Sequence, residues 1–135
     1  MHETRPGLVG LHHVSLTVSD VERSAEWYSR TLGFERRGVL RHERFDRLAL
    51  GHPEMPLLLT LTSHHGRPAG RFDETVAGLD HLAFRTRFPE DVDAWRAWLA
   101  IQQVNCSDVK DGALPGSRLV TFRDPDGIQI ECYFS

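Results

Sequence analysis

A chain of 135 residues with 40% hydrophobic content suits one folded domain with a real core, and disorder is excluded. A formal net charge of -3 without any run of basic residues gives no footprint for DNA or RNA, and no apolar run approaches the roughly 20 residues of a membrane helix. The N-terminal MHETRPG is too polar for a secretory leader, and Cys106 and Cys132 lie 26 positions apart (132 − 106), so a cytoplasmic chain with reduced thiols is expected.

Residues 9–18 alternate, with Val14, Leu16 and Val18 on one face and His13, Ser15 and Thr17 on the other, which is the period of a strand. Ser19-Asp20 then supplies capping oxygens for a helix through Trp27 and Tyr28 to Leu32, stopped by Gly33. Both aromatics are expected in the core. Three strands follow, Phe34–Leu40, Phe45–Leu50 and Leu57–Thr62, the last two separated by the turn-forming Gly51-His52-Pro53. Residues 63–76 (SHHGRPAGRFDETV) are rich in Gly, Pro and charge and read as a linker. His64 and His65 fall there, either as imidazoles able to close over a ligand or as part of an exposed polar loop. Beyond it come a strand over Leu79–Thr86, a helix from Pro89 to Ile101, and strands near Val104–Lys110, Arg118–Arg123 and Ile128–Phe134.

The two halves are copies of one unit. At an offset of 68 (81 − 13), VGLHHVSLTV lies over AGLDHLAFRT and pairs His13 with His81. An offset of 72 (125 − 53) lays HPEMPLLLTLTS over DPDGIQIECYFS and pairs Pro53 with Pro125. The expected fold is therefore α+β, one domain over 1–135 built from two βαβββ repeats, about 8–62 and 77–134.

If the repeats pack about a pseudo-two-fold axis, His13 and His81 converge across a shared cleft. Glu131 shares a strand face with Gln129 and Tyr133, opposite Ile128, Ile130 and Cys132, and can point into the same cleft. Two imidazoles and a carboxylate on rigid strands form a set that binds divalent cations and leaves positions open for a substrate. Fe, Mn, Zn, Ni or Co would suit this set, and the residues alone do not choose among them. The alternatives for Glu131 are a surface strand residue or an ion pair with an arginine such as Arg85 or Arg118. His12 is expected to point to the opposite face and is left out. At the offset of 72 the partner of Glu131 is Leu59 (131 − 72), which cannot ligate a cation, so three protein ligands are expected. Tyr133, two residues beyond Glu131, is the candidate acid–base group, and Ser15, Thr17, Thr60 and Thr62 either line the cleft or reflect ordinary strand propensity.

The segments GLHHVSLTVSDVERSAEWYSRTLGF, GLDHLAF and FRDPDGIQIECYF resemble the vicinal oxygen chelate superfamily over about residues 8–134. Glyoxalase I, extradiol dioxygenases, fosfomycin-modifying transferases and bleomycin resistance proteins belong to it. The resemblance implies paired βαβββ modules in a half-open barrel around a metal, usually in a homodimer, with His13, His81 and Glu131 as ligands. It also implies a metal-dependent enzyme, dioxygenase-like or lyase-like, acting on a small molecule through vicinal oxygens. Leu59 departs from the four-ligand pattern of glyoxalase I. The chain also stops at Ser135 and carries Thr121 where fosfomycin transferases tend to have tyrosine. The competing expectation is a bleomycin-type protein that sequesters a drug and needs no catalytic metal.

Overall fold

The computed structural model describes residues 4–135, so Met1, His2 and Glu3 of the polar N-terminal segment lie outside it. Its elements are β1 (His13–Thr17), α1 (Val21–Leu32), β2 (Glu35–Arg41), β3 (Phe45–His52) and β4 (Met55–His64), then β5 (His81–Arg85), α2 (Glu90–Ile101), β6 (Lys110–Asp111), β7 (Arg118–Arg123) and β8 (Gln129–Phe134). The first five make module one and the second five make module two. Each module is a four-stranded sheet, ordered β1-β4-β3-β2 and β5-β8-β7-β6, in which the first strand pairs parallel to the last. The expected α+β repeat is present, and the sheets do not close into a barrel.

Local chemistry explains the boundaries. The Asp20 carboxylate accepts hydrogen bonds from the Glu22 and Arg23 amides at the start of α1. At its end Gly33 takes φ 83°, a left-handed conformation without a Cβ penalty, and donates to Ser29 O at 3.0 Å. Val21, Ser24, Ala25, Trp27, Tyr28, Thr31 and Leu32 form the buried stripe of α1. The expected strand Val104–Lys110 is largely absent: only Cys106 bridges Phe122, and β6 is two residues long. Ser107 is the reason, because its hydroxyl accepts the Thr121 amide at 2.9 Å and so takes the place of a backbone acceptor in the ladder.

The modules share one core, and they build it from their helix-covered faces. Trp27 on α1 packs against Phe122 on β7 with centroids 6.2 Å apart, and Phe34 packs against Phe84 at 5.8 Å. The Trp98 indole on α2 donates to Thr31 O at 2.8 Å. Leu48, Leu50, Leu59, Leu61, Ile130 and Cys132 are buried there, each large apolar side chain contributing roughly 1.5–3 kcal/mol. Both cysteines are free thiols, and burial pushes the Cys132 thiol up to about 12.

The two modules are also clamped by the Asp124-Pro125-Asp126-Gly127 turn between β7 and β8. The buried Asp124 accepts the Tyr28 hydroxyl of α1 at 2.8 Å, and Asp126 accepts the Ser19 amide at 3.1 Å. Gly127, at φ 85°, closes the turn.

Candidate metal centre

Because the apolar faces are joined in the core, the polar faces of the two sheets look outward. His13, Ser15 and Thr17 are exposed on one, and His81, Ala83 and Arg85 on the other. His81 and Glu131 are brought together, with His81 Nε2 3.7 Å from Glu131 Oε2. His13 is not: among the described residues of one chain, no three His, Cys, Asp or Glu side chains are grouped to hold a cation. The expected convergence of His13 and His81 within the chain is thus corrected, since a cleft between the polar faces would require the modules to separate from their common core.

The His81–Glu131 pair has the chemistry of a cation site. Glu131 is only 7% exposed, and its hydrogen-bond partner is the Gln129 amide, which donates at 3.2 Å. A carboxylate at that depth is costly without a cation. Neither expected arginine supplies one: Arg118 is held by Asp93 at 2.9 and 3.2 Å, and Arg85 makes no ion pair among the described residues. His81 Nδ1 donates to Asp80 Oδ1 at 2.6 Å, which leaves the Nε2 lone pair facing Glu131. This bond to Asp80 holds the His81 imidazolium above its ordinary pKa, with the charge of Glu131 adding to it. A nitrogen and an oxygen on this spacing need only a small inward shift to share an ion at roughly 2.0–2.2 Å from each.

Module one repeats half of this arrangement. His12 Nδ1 and His13 Nδ1 share a hydrogen bond at 2.8 Å, leaving His13 Nε2 free. His12 and Asp80 occupy equivalent positions (80 − 68 = 12), each bonding Nδ1 of the following histidine. His12 precedes β1, so strand alternation does not set its direction, and its expected place on the opposite face is corrected. The repeat alignment held the signal for both orienting residues.

The pairing of strands also corrects the Glu131 equivalence. Ser15 lies opposite Thr60 on β4, and Ala83, its repeat mate (83 − 68 = 15), lies opposite Glu131 on β8. The counterpart of Glu131 is therefore Thr60, whereas Leu59 is fully buried on the core face. Thr60 is no carboxylate either. Tyr133 stands on the Glu131 face, half-buried, with its hydroxyl packed over Gly112, where a Cβ would collide with it. His64 ends β4, and His65 is tied to the β2–β3 hairpin through Glu43 O at 3.0 Å and Asp46 at 3.3 Å.

Residues 10–132 match the model of the Glyoxalase/Bleomycin resistance protein/Dioxygenase superfamily, and the chain belongs to that family. It is 30% identical over 131 residues to YaeR of Escherichia coli (strain K12), covering 94% of this chain and 97% of that one. It is 26% identical over 124 residues to the metallothiol transferase FosB of Staphylococcus epidermidis, covering 92% and 82%. The glyoxylase/bleomycin resistance protein/dioxygenase domain from Frankia sp. EAN1pec superposes with a TM-score of 0.85 at 32% identity, covering 96% and 99%. Members of the family generally use a divalent metal ion.

Proposed function

We propose that this chain is a metal-dependent enzyme that binds a small substrate through vicinal oxygens at a site made of His13, His81 and Glu131. The observation that carries it is the buried Glu131 carboxylate 3.7 Å from Nε2 of a His81 that Asp80 orients. A homodimer completes the triad in this reading: two polar faces, exposed in one copy, close when module one of one copy covers module two of the other. The N-terminal arm supports it, because Leu8, Val9 and Leu11 are exposed and would gain cover in such an assembly.

A divalent cation held there supplies Lewis-acid polarisation of two substrate oxygens. His81 and Glu131 would hold it from one strand pair, with Asp80 keeping the His81 proton on Nδ1. Thr60, the counterpart of Glu131 in module one, adds no carboxylate to this set, so the protein would supply three ligands and leave room for a substrate. A set of two imidazoles and one carboxylate would suit Fe(II), and with that ion would supply dioxygenase-type chemistry. Of the two tyrosines, Tyr28 is locked to Asp124, leaving Tyr133 as the acid–base group proposed for the polar face. Thiol transfer is the second reading, supported by the FosB relative.

Elemental analysis after anaerobic reconstitution with Fe(II), Mn(II) or Zn(II) tests the site, and sedimentation of the same samples tests the dimer. About one equivalent of cation per chain on a dimeric protein is expected. Oxygen uptake with catechols by the Fe(II) form separates dioxygenase from transferase chemistry. Failure to retain any ion would sink the enzyme reading in favour of a small-molecule binding module. Asp80→Ala should weaken cation binding about 10–100-fold, measured by competition with a chromogenic chelator. Unchanged affinity would show that Asp80 does not orient a ligand.

A further inference from the structure

The polar face of module one carries a built receptor that the metal chemistry does not use. Arg47 on β3 lies opposite Thr62 on β4 and donates from Nε to the Thr62 hydroxyl at 2.9 Å. Its guanidinium carbon sits 4.5 Å from the centroid of the Phe45 ring, which stacks on His42. The side chain is half-buried and makes no ion pair among the described residues. Its two terminal nitrogens therefore remain as a fork aimed by Phe45 and Thr62. A partly desolvated, oriented guanidinium lacking a carboxylate is a site for an oxyanion.

A second observation lies on the same face. The Thr60 hydroxyl is buried without a hydrogen-bond partner. Thr60 sits two residues before Thr62, opposite both Ser15 and the small Ala49, and Ser15 in turn contacts the Thr62 hydroxyl at 3.3 Å. A hydroxyl buried without a partner is destabilising. The face thus runs from His13, opposite Leu58, through Thr60 to Thr62 and Arg47. The four-residue step from Leu58 to Thr62 (62 − 58) spans about 13 Å of strand.

We propose that the substrate carries an acidic group, carboxylate or phosphate-like, several ångströms from its chelating oxygens, and that the terminal nitrogens of Arg47 bind this group. The link to the chelating oxygens rests on the metal-site reading above; the oxyanion site itself does not.

The oxyanion site is tested on metal-free protein by following the Arg47 Nε–H resonance, identified by its loss in Arg47→Gln, during titration with acetate and separately with phosphate. A saturable shift is expected, absent with chloride at equal ionic strength, and the anion giving the tighter response identifies carboxylate or phosphate recognition. A response no different from chloride for both anions would overturn the site. The link is tested on metal-loaded protein by comparing 3,4-dihydroxyhydrocinnamate with its methyl ester. The acid should bind about tenfold more tightly, Arg47→Gln should remove that preference while leaving the ester unchanged, and Arg47→Lys should keep part of it. Equal binding of acid and ester would overturn the link. Loss of metal loading would show instead as failure of both compounds, with the anion titration still deciding the Arg47 site.

Discussion

Glu131→Gln is expected to lower cation affinity about 100-fold or more while leaving the metal-free protein as stable as the parent, or slightly more so. The two effects have one cause. Glu131 is buried with one neutral hydrogen-bond donor, so with His81 neutral at 3.7 Å its charge costs folding free energy that a bound cation returns. The amide keeps the shape and removes both the cost and the ligand. Chelator competition reads the first effect and thermal unfolding in excess chelator reads the second. His81→Ala should match the affinity loss. A variant that keeps its cation, or that unfolds many degrees lower without metal, would mean that Glu131 serves the fold and not a metal.

The second large effect concerns the clamp between modules. Asp124→Ala should destabilise the protein by about 3–4 kcal/mol, or about 10 °C in Tm, with the loss visible in both halves because unfolding is cooperative. Asp124 accepts the Ile128 and Asp126 amides at 2.9 Å each through one oxygen and the Tyr28 hydroxyl at 2.8 Å through the other. Truncation leaves the buried Tyr28 hydroxyl and the Ile128 amide unpaired. Asp124→Asn retains an acceptor for the amides and should cost far less. A loss under 1 kcal/mol for the alanine variant would show that the turn does not join the modules.

Asp124 also sets a pH signature. Burial raises its carboxyl pKa, opposed in part by the hydrogen bonds from Tyr28, Ile128 and Asp126. A carboxyl with a raised folded-state pKa holds its proton better in the folded protein, so its stabilising contribution is complete below the unfolded value and fades as pH rises through the folded one. The stability of wild type relative to Asp124→Asn should therefore fall as pH rises across the window just above the ordinary carboxylate range. Denaturant unfolding at several pH values checks this; a difference independent of pH would count against it.

The local elements and the repeat were legible because they rest on short-range rules. Alternation along 13–18 follows from the two-residue period of a strand, and Asp20 and Gly33 mark α1 through capping and a left-handed residue. Pairing His13 with His81 needed only the offset of 68. The match of Leu59 to Glu131 fails because the offset that pairs Pro53 with Pro125 does not hold through the final strands. The offset is 72 between β3 and β7, where Leu50 and Phe122 both face the core, and 71 between β4 and β8. Module one has one more residue around its β3–β4 turn, where the register shifts between Leu50 and His52. A one-residue slip exchanges the faces of a strand, so Leu59 was set against a residue that points the other way.

The sequence by itself determined two α+β copies, the strand faces that carry His13, His81 and Glu131, and the family that those motifs resemble. Tertiary structure alone decided which faces meet. The modules join through helices and apolar sheet faces because that burial outweighs any gain from closing polar surfaces, and this turns His13 away from His81 and Glu131 within one chain. It likewise decided that Asp124 anchors Tyr28, 96 residues away, and that Arg47 meets Thr62 and Phe45 on an open face. Such contacts come from the packing of whole elements, and no periodicity or spacing within the chain encodes them.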